Sequence, residues 1–228
     1  MRKFRMTAVL LAAGMMLCAC GKQEPETTSE LVEEWMADAT ETEPVTIAEQ
    51  SENEIDAGAT SLDCFEYTIR EDGTASIIRY TGKDPNVVIT SHIGDAPVTE
   101  IEQYAFEAKF LVETVQLPES VTKIGEFAFM DCDSMTSINI PSGVTALYRG
   151  TFAGCVALTE LTIPASVAET NEELLTGCQL TDLYVENPSL DYANWGLEDL
   201  EPKCTIHAPA GAAILTWAQA NGFPTEEQ

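Results

Sequence analysis

Few residues of this chain could carry chemistry. There are two histidines in 228 residues, His92 and His207. Neither stands in an HExxH motif or at metal-ligand spacing from a second nitrogen donor, so no zinc site of that kind is expected. Cys204 and His207 lie three positions apart and could suggest a nucleophile with its base. On one strand, however, their side chains would face opposite sides of the sheet, which makes a poor dyad. Both histidines are therefore read as surface or packing residues. Asp131 and Asp133 flank a turn, but calcium takes six or more oxygens and spacing assembles no such set here. Neither a phosphate-cradling glycine loop nor a GxSxG elbow occurs. The expectation is no catalytic residue, no metal and no cofactor.

The remaining candidates are thiols, and they lead to the architecture. Cys132, Cys155 and Cys178 recur at a period of 23 residues. One residue per coil of a stack would place them in a column about 4.8 Å apart. That is slightly beyond the roughly 3.5–4.5 Å between Cβ atoms of a disulfide, and three in a column leave one unpaired. Buried, reduced thiols acting as small hydrophobes are expected. Other positions keep the same period: Val98, Val121, Val144 and Val167; Ile101, Ile124 and Leu147; Phe106, Phe129 and Phe152, with Leu175 in the fourth copy; Pro118, Pro141 and Pro164. A period in this range signals stacked coils that cannot fold singly. Backbone entropy of about 1–2 kcal/mol per residue exceeds what some seven inward side chains, at roughly 1.5–3 kcal/mol each, return. Neighbouring coils must supply the difference.

Each unit begins with a short strand. VETVQLP, MTSINIP and LTELTIP send Val115 and Leu117, Ile138 and Ile140, and Leu161 and Ile163 inward at period 2, and proline ends each run. The fourth copy, LTDLYVE, is one residue short and points Leu183 and Val185 inward. A Val-x-x-Ile step and an Ala-Phe step then carry the chain around the coil. At the front, FEYTIREDGTASIIRY reads as a hairpin with a two-residue Asp72-Gly73 turn. At the end, Ala212 to Asn221 has helix formers with Gly222 at the stop position. Ile214, Leu215 and Trp217 of that helix are placed to cover the last coil.

The pattern L-x-x-L-x-I-P, V-x-x-I, A-F and G/D-C, running from about Phe65 to Phe223, resembles the leucine-rich repeat of BspA-like bacterial surface proteins. The resemblance implies a leucine-rich-repeat solenoid, a right-handed stack with one short β-strand per 23-residue coil. An N-terminal β-hairpin and a C-terminal helix would cap it. Ser120, Gly143 and Ser166 stand where commoner leucine-rich repeats carry asparagine, so an internal asparagine ladder is not expected. The unit ENPSLDYANWGLEDLEP departs from the pattern.

The N-terminus is of another kind. Arg2, Lys3 and Arg5 precede an apolar run from Met6 to Leu17, the layout of a secretory signal. Leu17-Cys18-Ala19-Cys20 resembles the lipobox of bacterial lipoproteins, which implies lipidation at Cys20; an ordinary signal peptide cut nearby is the alternative. From Gly21 to Ser61 the composition is Glu, Thr, Ala, Ser and Pro, which cannot bury enough apolar surface to order itself. This reads as an acidic disordered stalk, interrupted near Thr27, Glu30, Leu31 and Trp35 by a short helix-prone island. The organisation expected is thus a leader over 1–20, a stalk over 21–61, and a hairpin with first coil over 62–97. Four repeats over 98–188 follow, then a degenerate coil and helical cap over 189–228.

The net charge of −27, from 11 basic and 38 acidic residues, argues against nucleic acid and against lying on anionic lipid. Membrane attachment would be through the lipid anchor only, and a monomer is expected. Outward residues of the strands form a candidate binding face: Thr114 and Gln116, Ser137 and Asn139, Glu160 and Thr162, Asp182 and Tyr184. It is read as four strands wide, polar, with one aromatic and replaceable side chains. The resemblance implies a cell-surface adhesion module for an extracellular protein or glycan. The other readings are a non-catalytic accessory or spacer of an envelope assembly and, after it, a wall-active enzyme. Replacing Cys20 by serine removes the acceptor thiol, so Cys20→Ser should leave an unlipidated precursor. Metabolic labelling with a fatty acid checks this, and undiminished acylation would refute the lipobox assignment.

Overall fold

The computed structural model describes residues 56–190, 194–198, 200 and 202–228; the Cys20 leader, residues 21–55 of the expected stalk and the Trp35 island lie outside them. The elements follow in chain order. A 3-10 turn (Leu62–Cys64) leads into β1 (Phe65–Ile69) and β2 (Ala75–Tyr80), an antiparallel hairpin. Then come β3 (Asn86–Val88), β4 (His92–Ile93), β5 (Ala96–Ile101), β6 (Thr114–Gln116), β7 (Lys123–Ile124) and β8 (Ser137–Ile138). They are followed by β9 (Ala146–Leu147), β10 (Glu160–Ile163), β11 (Glu169–Thr170), β12 (Asp182–Val185) and β13 (Thr205–Ala208). Helix α1 (Ala213–Ala220) and β14 (Thr225–Glu227) close the chain.

The 23-residue period becomes three walls. One wall holds the strands that end each repeat's L-x-I run: β3, β6 and β8 pair in parallel, and so do β10, β12, β13 and β14. The second holds the Val-x-x-Ile steps, with β2, β5 and β7 parallel in one set and β9 with β11 in another. The third wall has no strands but is bonded coil to coil. Phe106 N–H donates to Ala128 O (2.7 Å), Phe129 N–H to Thr151 O (3.0 Å) and Phe152 N–H to Leu174 O (3.2 Å). Adjacent coils therefore satisfy each other's buried amides, as the unpaired backbone of one coil requires.

Inside the walls the repeated residues stack. Rings of Phe65, Tyr80, Phe106, Phe129 and Phe152 form a column with successive centroid separations of 5.3, 5.2, 5.0 and 5.9 Å. Beside it, each column cysteine donates its thiol proton to a carbonyl of the preceding coil: Cys132 to Phe106 O, Cys155 to Phe129 O and Cys178 to Phe152 O, each at 3.1 Å. Burial pushes the Cys132 and Cys178 thiols up to about 12 and Cys155 higher still, so they stay protonated donors. The thiol thus completes the coil's backbone bonding as well as filling space.

The bends of the third wall need left-handed backbone. Tyr104, Phe127, Gly150 and Glu173 share positive φ one coil apart, and so do Ala108, Asp131, Gly154 and Gly177. Only some are glycine, so the tertiary register imposes a conformation that side chains resist by roughly 1–2 kcal/mol. Gly150 is required for a second reason: a Cβ there would run into the Phe127 ring.

Several features differ from the sequence reading. The hairpin loop is not a two-residue turn. Gly73 N–H donates to Arg70 O and Arg70 N–H to Thr74 O, so three residues make the loop. Gly73 alone has positive φ there (81°), while Asp72 uses its carboxylate to accept from Thr74 N–H. Residues 56–61, assigned by composition to the stalk, are bonded into the domain. Thr60 exchanges bonds with Val88, and Asp56 accepts from Ser91 N–H. The strand-like start of the segment from Cys204 is β13, as its residues suggest, but the chain adds an unforeseen last strand, β14, beyond α1. Helix α1 buries Ile214, Leu215 and Ala218, and Trp217 packs on Phe223 at 5.2 Å. Phe129 sits in the ring column between Phe106 and Phe152, fully buried. Phe129→Ala should cost about 3–5 kcal/mol by chemical denaturation, with no compensating collapse because both neighbouring rings are fixed by their own coils.

Candidate functional site

The outer surface of the first wall is the candidate site, and it is seven strands wide, not four. One row holds Thr114 and Ser137 on β6 and β8, and Glu160, Asp182 and Thr205 on β10, β12 and β13. A second runs Tyr184, His207 and Glu226. The alternation of apolar and polar residues turns these side chains outward for the same reason that Leu161, Ile163, Leu183, Val185 and Ile206 are buried.

This wall is interrupted in its middle. The sheet β3-β6-β8 and the sheet β10-β12-β13-β14 are separate, without a ladder between β8 and β10. Asn139 supplies the physical reason. Between β3 and β6, Ile89 N–H donates to the main-chain oxygen of Gln116 (3.0 Å). One coil on, the equivalent Leu117 N–H donates to Asn139 Oδ1 (2.7 Å), and Asn139 Nδ2 donates to Leu117 O (2.8 Å). The carboxamide stands in for a peptide group, and the main chain beyond Ile138 leaves the ladder line. Ile138 and Ile140 are consequently only half-buried, against 3% or less for Val115, Leu117, Leu161 and Ile163. Asn139 is not the freely replaceable polar residue the sequence suggests.

The gap opens a groove of about 610 Å³ lined by Ser137, Asn139, Glu160, Thr162 and Glu186, with Ile138 and Ile140 as its apolar floor. A shallower depression of about 370 Å³ adjoins it, lined by Thr114, Gln116, Ser137 and Asn139. Six of the eight candidate residues therefore border two connected hollows. The other two, Asp182 and Tyr184, stand opposite Glu160 and Thr162 on the adjacent strand β12 and belong to a second cluster. There the Tyr184 ring stacks on His207 at 4.3 Å and 12°. His207 Nε2 lies 2.8 Å from Asp182 Oδ1, and Nδ1 lies 3.3 Å from Glu226 Oε2. The hydrogen bond to His207, followed by that from Thr181, holds the Asp182 carboxyl below its usual range. Burial against its neighbours, then Glu160, Asp182 and Glu226, raise the Tyr184 hydroxyl. Tyr184 is therefore a packed member of a polar clasp, not an isolated exposed ring.

Sequence reasoning missed His207, Glu186 and Glu226. For His207 a signal existed: Cys204, Ile206 and Ala208 alternate inward before Pro209, as in the repeats, which turns His207 outward. Glu186 and Glu226 had none, since their neighbours come from other coils. Cys204 is buried and His207 faces outward into the carboxylates, so the two form no dyad. His92 pairs across β4–β5 with Pro97, and its ring lies 3.0 Å from Ser91 Oγ. Among the described residues, no group of three or more His, Cys, Asp or Glu could hold a metal ion.

A family model described as a BspA type leucine-rich repeat region matches residues 86–194 in six copies. The solved structure of a leucine-rich cell surface protein from Faecalibacterium prausnitzii A2-165 is similar at 27% identity and a TM-score of 0.54, over 71% of this chain and 41% of that one. A leucine-rich repeat protein from Bacteroides capillosus ATCC 29799 is 30% identical with a TM-score of 0.50, over 55% of this chain and 96% of that one. The T. pallidum leucine-rich repeat protein shares the fold at 21% identity and a TM-score of 0.50, over 74% of this chain and 98% of that one. This chain thus spans about two fifths of the F. prausnitzii protein. No curated protein matches it.

Removal of the Asn139 carboxamide strands one donor and one acceptor of Leu117. Asn139→Ala should therefore lower the unfolding free energy by about 1–3 kcal/mol, whereas Gln116→Ala on the adjacent strand should be within about 0.5 kcal/mol of the parent. Urea denaturation distinguishes the two.

Proposed function

Because this chain belongs to the BspA-type leucine-rich-repeat family, we propose that it is a non-catalytic binding module, lipid-anchored through Cys20 at the cell surface, whose strand face holds an extracellular protein or glycan. The observation that carries this reading is the interrupted ladder. An unbroken sheet face offers little concavity, but the β8–β10 gap provides a groove of about 610 Å³, within the roughly 300–1,000 Å³ of ligand clefts.

The lining suits a polar, extended ligand. Hydroxyls of Ser137 and Thr162 and the carboxylates of Glu160 and Glu186 supply hydrogen-bonding groups, and half-buried Ile138 and Ile140 supply apolar contact. The facing edges of β8 and β10 add main-chain groups not committed to each other, the means by which extended segments are gripped in β-augmentation. The name of the F. prausnitzii relative, a cell surface protein, agrees with the leader that the sequence carries.

Glu160 and Thr162 are exposed, and no described side-chain hydrogen bond fixes either one. Glu160→Gln combined with Thr162→Ala should therefore keep the parent melting temperature. Binding by the full exported chain to an array of matrix proteins and wall glycans should weaken at least ten-fold for whichever ligand the parent captures. Equal binding by the double variant would remove the groove from consideration.

A further inference from the structure

A second depression lies away from the strand face, at the bend that precedes β6. The first repeat carries Lys109-Phe110-Leu111 where the next two carry Cys132-Asp133-Ser134 and Cys155-Val156-Ala157. Lysine thus replaces the column cysteine, and two large apolar residues follow it. Phe110 is 53% exposed and Leu111 65%. With Lys83 and Lys109 they border a hollow of about 190 Å³. Gly82 and Tyr80 form part of its wall, the Gly82 backbone so close over the Tyr80 ring that a Cβ would come within 2.6–2.7 Å of it.

Charge singles out this hollow. The chain has 38 acidic and 11 basic residues. Among the described residues, Arg70, Arg79, Lys123 and Arg149 are each paired with glutamates. Lys83 and Lys109 form no ion pair and stand on the rim of an apolar hollow. Elsewhere the surface repels anions; here it offers two uncommitted ammonium groups beside exposed Phe and Leu. A hollow this size is below the roughly 300–1,000 Å³ of small-molecule clefts and seats one side chain.

We propose that this hollow docks an acidic peptide segment of a protein partner, seating one aromatic or branched apolar side chain against Phe110 and Leu111 while flanking carboxylates pair with Lys83 and Lys109. The acidic remainder of the domain discourages the same segment from binding elsewhere, so specificity comes from repulsion as well as attraction. Because the charged part is exposed, binding weakens as salt shortens the Debye length from about 10 Å at 0.1 M to about 3 Å at 1 M.

The test uses the full chain and a fluorescein-labelled peptide with one tryptophan between two pairs of glutamates, followed by anisotropy. Two controls replace its tryptophan by alanine or its glutamates by lysines. The parent peptide should bind at least ten-fold more tightly than either control, and more weakly in 1 M salt. Lys83→Gln with Lys109→Gln, and separately Phe110→Ser with Leu111→Ser, should each weaken binding at least five-fold with the circular dichroism melt unchanged, since Lys83, Phe110 and Leu111 are exposed and Lys109 is half-buried without an ion partner. Equal affinity for the controls, or indifference to both double variants, overturns the proposal. So does variant-sensitive binding to phosphatidylglycerol vesicles without peptide binding, which would assign the hollow to a lipid surface.

Discussion

No coil of this protein can satisfy its own backbone, and that constraint governs everything else. A turn of 23 residues that visits three walls has few internal hydrogen bonds, so its buried amides must find partners one coil away. The third wall shows the bargain most plainly. Main-chain bonds from Phe106, Phe129 and Phe152 climb to the next coil, and thiol bonds from Cys132, Cys155 and Cys178 return to those phenylalanines' own carbonyls. The aromatic column and the bonding pattern locate each other. Rings near 5 Å apart fix the coil spacing at which the amides meet, and the amides hold the rings in register.

With that wall continuous, the others tolerate interruption. The strand wall gives up its ladder between β8 and β10 because an asparagine side chain, not the next main chain, completes the bonding of Leu117. The Val-x-x-Ile wall is likewise divided between β7 and β9. Near that second division, Glu100 is buried against Arg70 and Lys123. Burial opposes its ionisation, but the bonds from Lys123 and Arg70 outweigh it and keep its carboxyl below the ordinary range. A stack secured along one side can thus afford grooves on the others, and concavity arises in a fold whose ideal form is nearly flat.

The acidic composition acts at a different level. It contributes little to the packing, where the core is aliphatic and aromatic, but it sets which surfaces can attract anything. Most described cations are held in ion pairs with glutamates, and exposed pairs of this kind are worth only about 0–1 kcal/mol each. Their larger effect is to leave the surface field negative except where a lysine has no partner.

Much of this was written in the sequence. The period of Val98, Val121, Val144 and Val167, the phenylalanine column, the inward pairs before each proline and the buried thiols all follow from residue type at fixed spacing, because in a repeat the neighbour of a residue is its counterpart one period on. What failed were the contacts that do not repeat. Asn139 reads as one more outward polar residue until its carboxamide is seen replacing a peptide group of Leu117. His207 reads as a stray histidine until β13 brings it between Asp182, Tyr184 and Glu226. Lys109 is visible as an irregularity in the cysteine column, but its lack of an ion partner is a fact about where the glutamates ended up. Periodicity determines the stack, because stacking is local and translational. The groove, the clasp and the uncommitted lysines depend on how side chains from different coils compete for the same backbone groups and charges, and only the folded arrangement decides that.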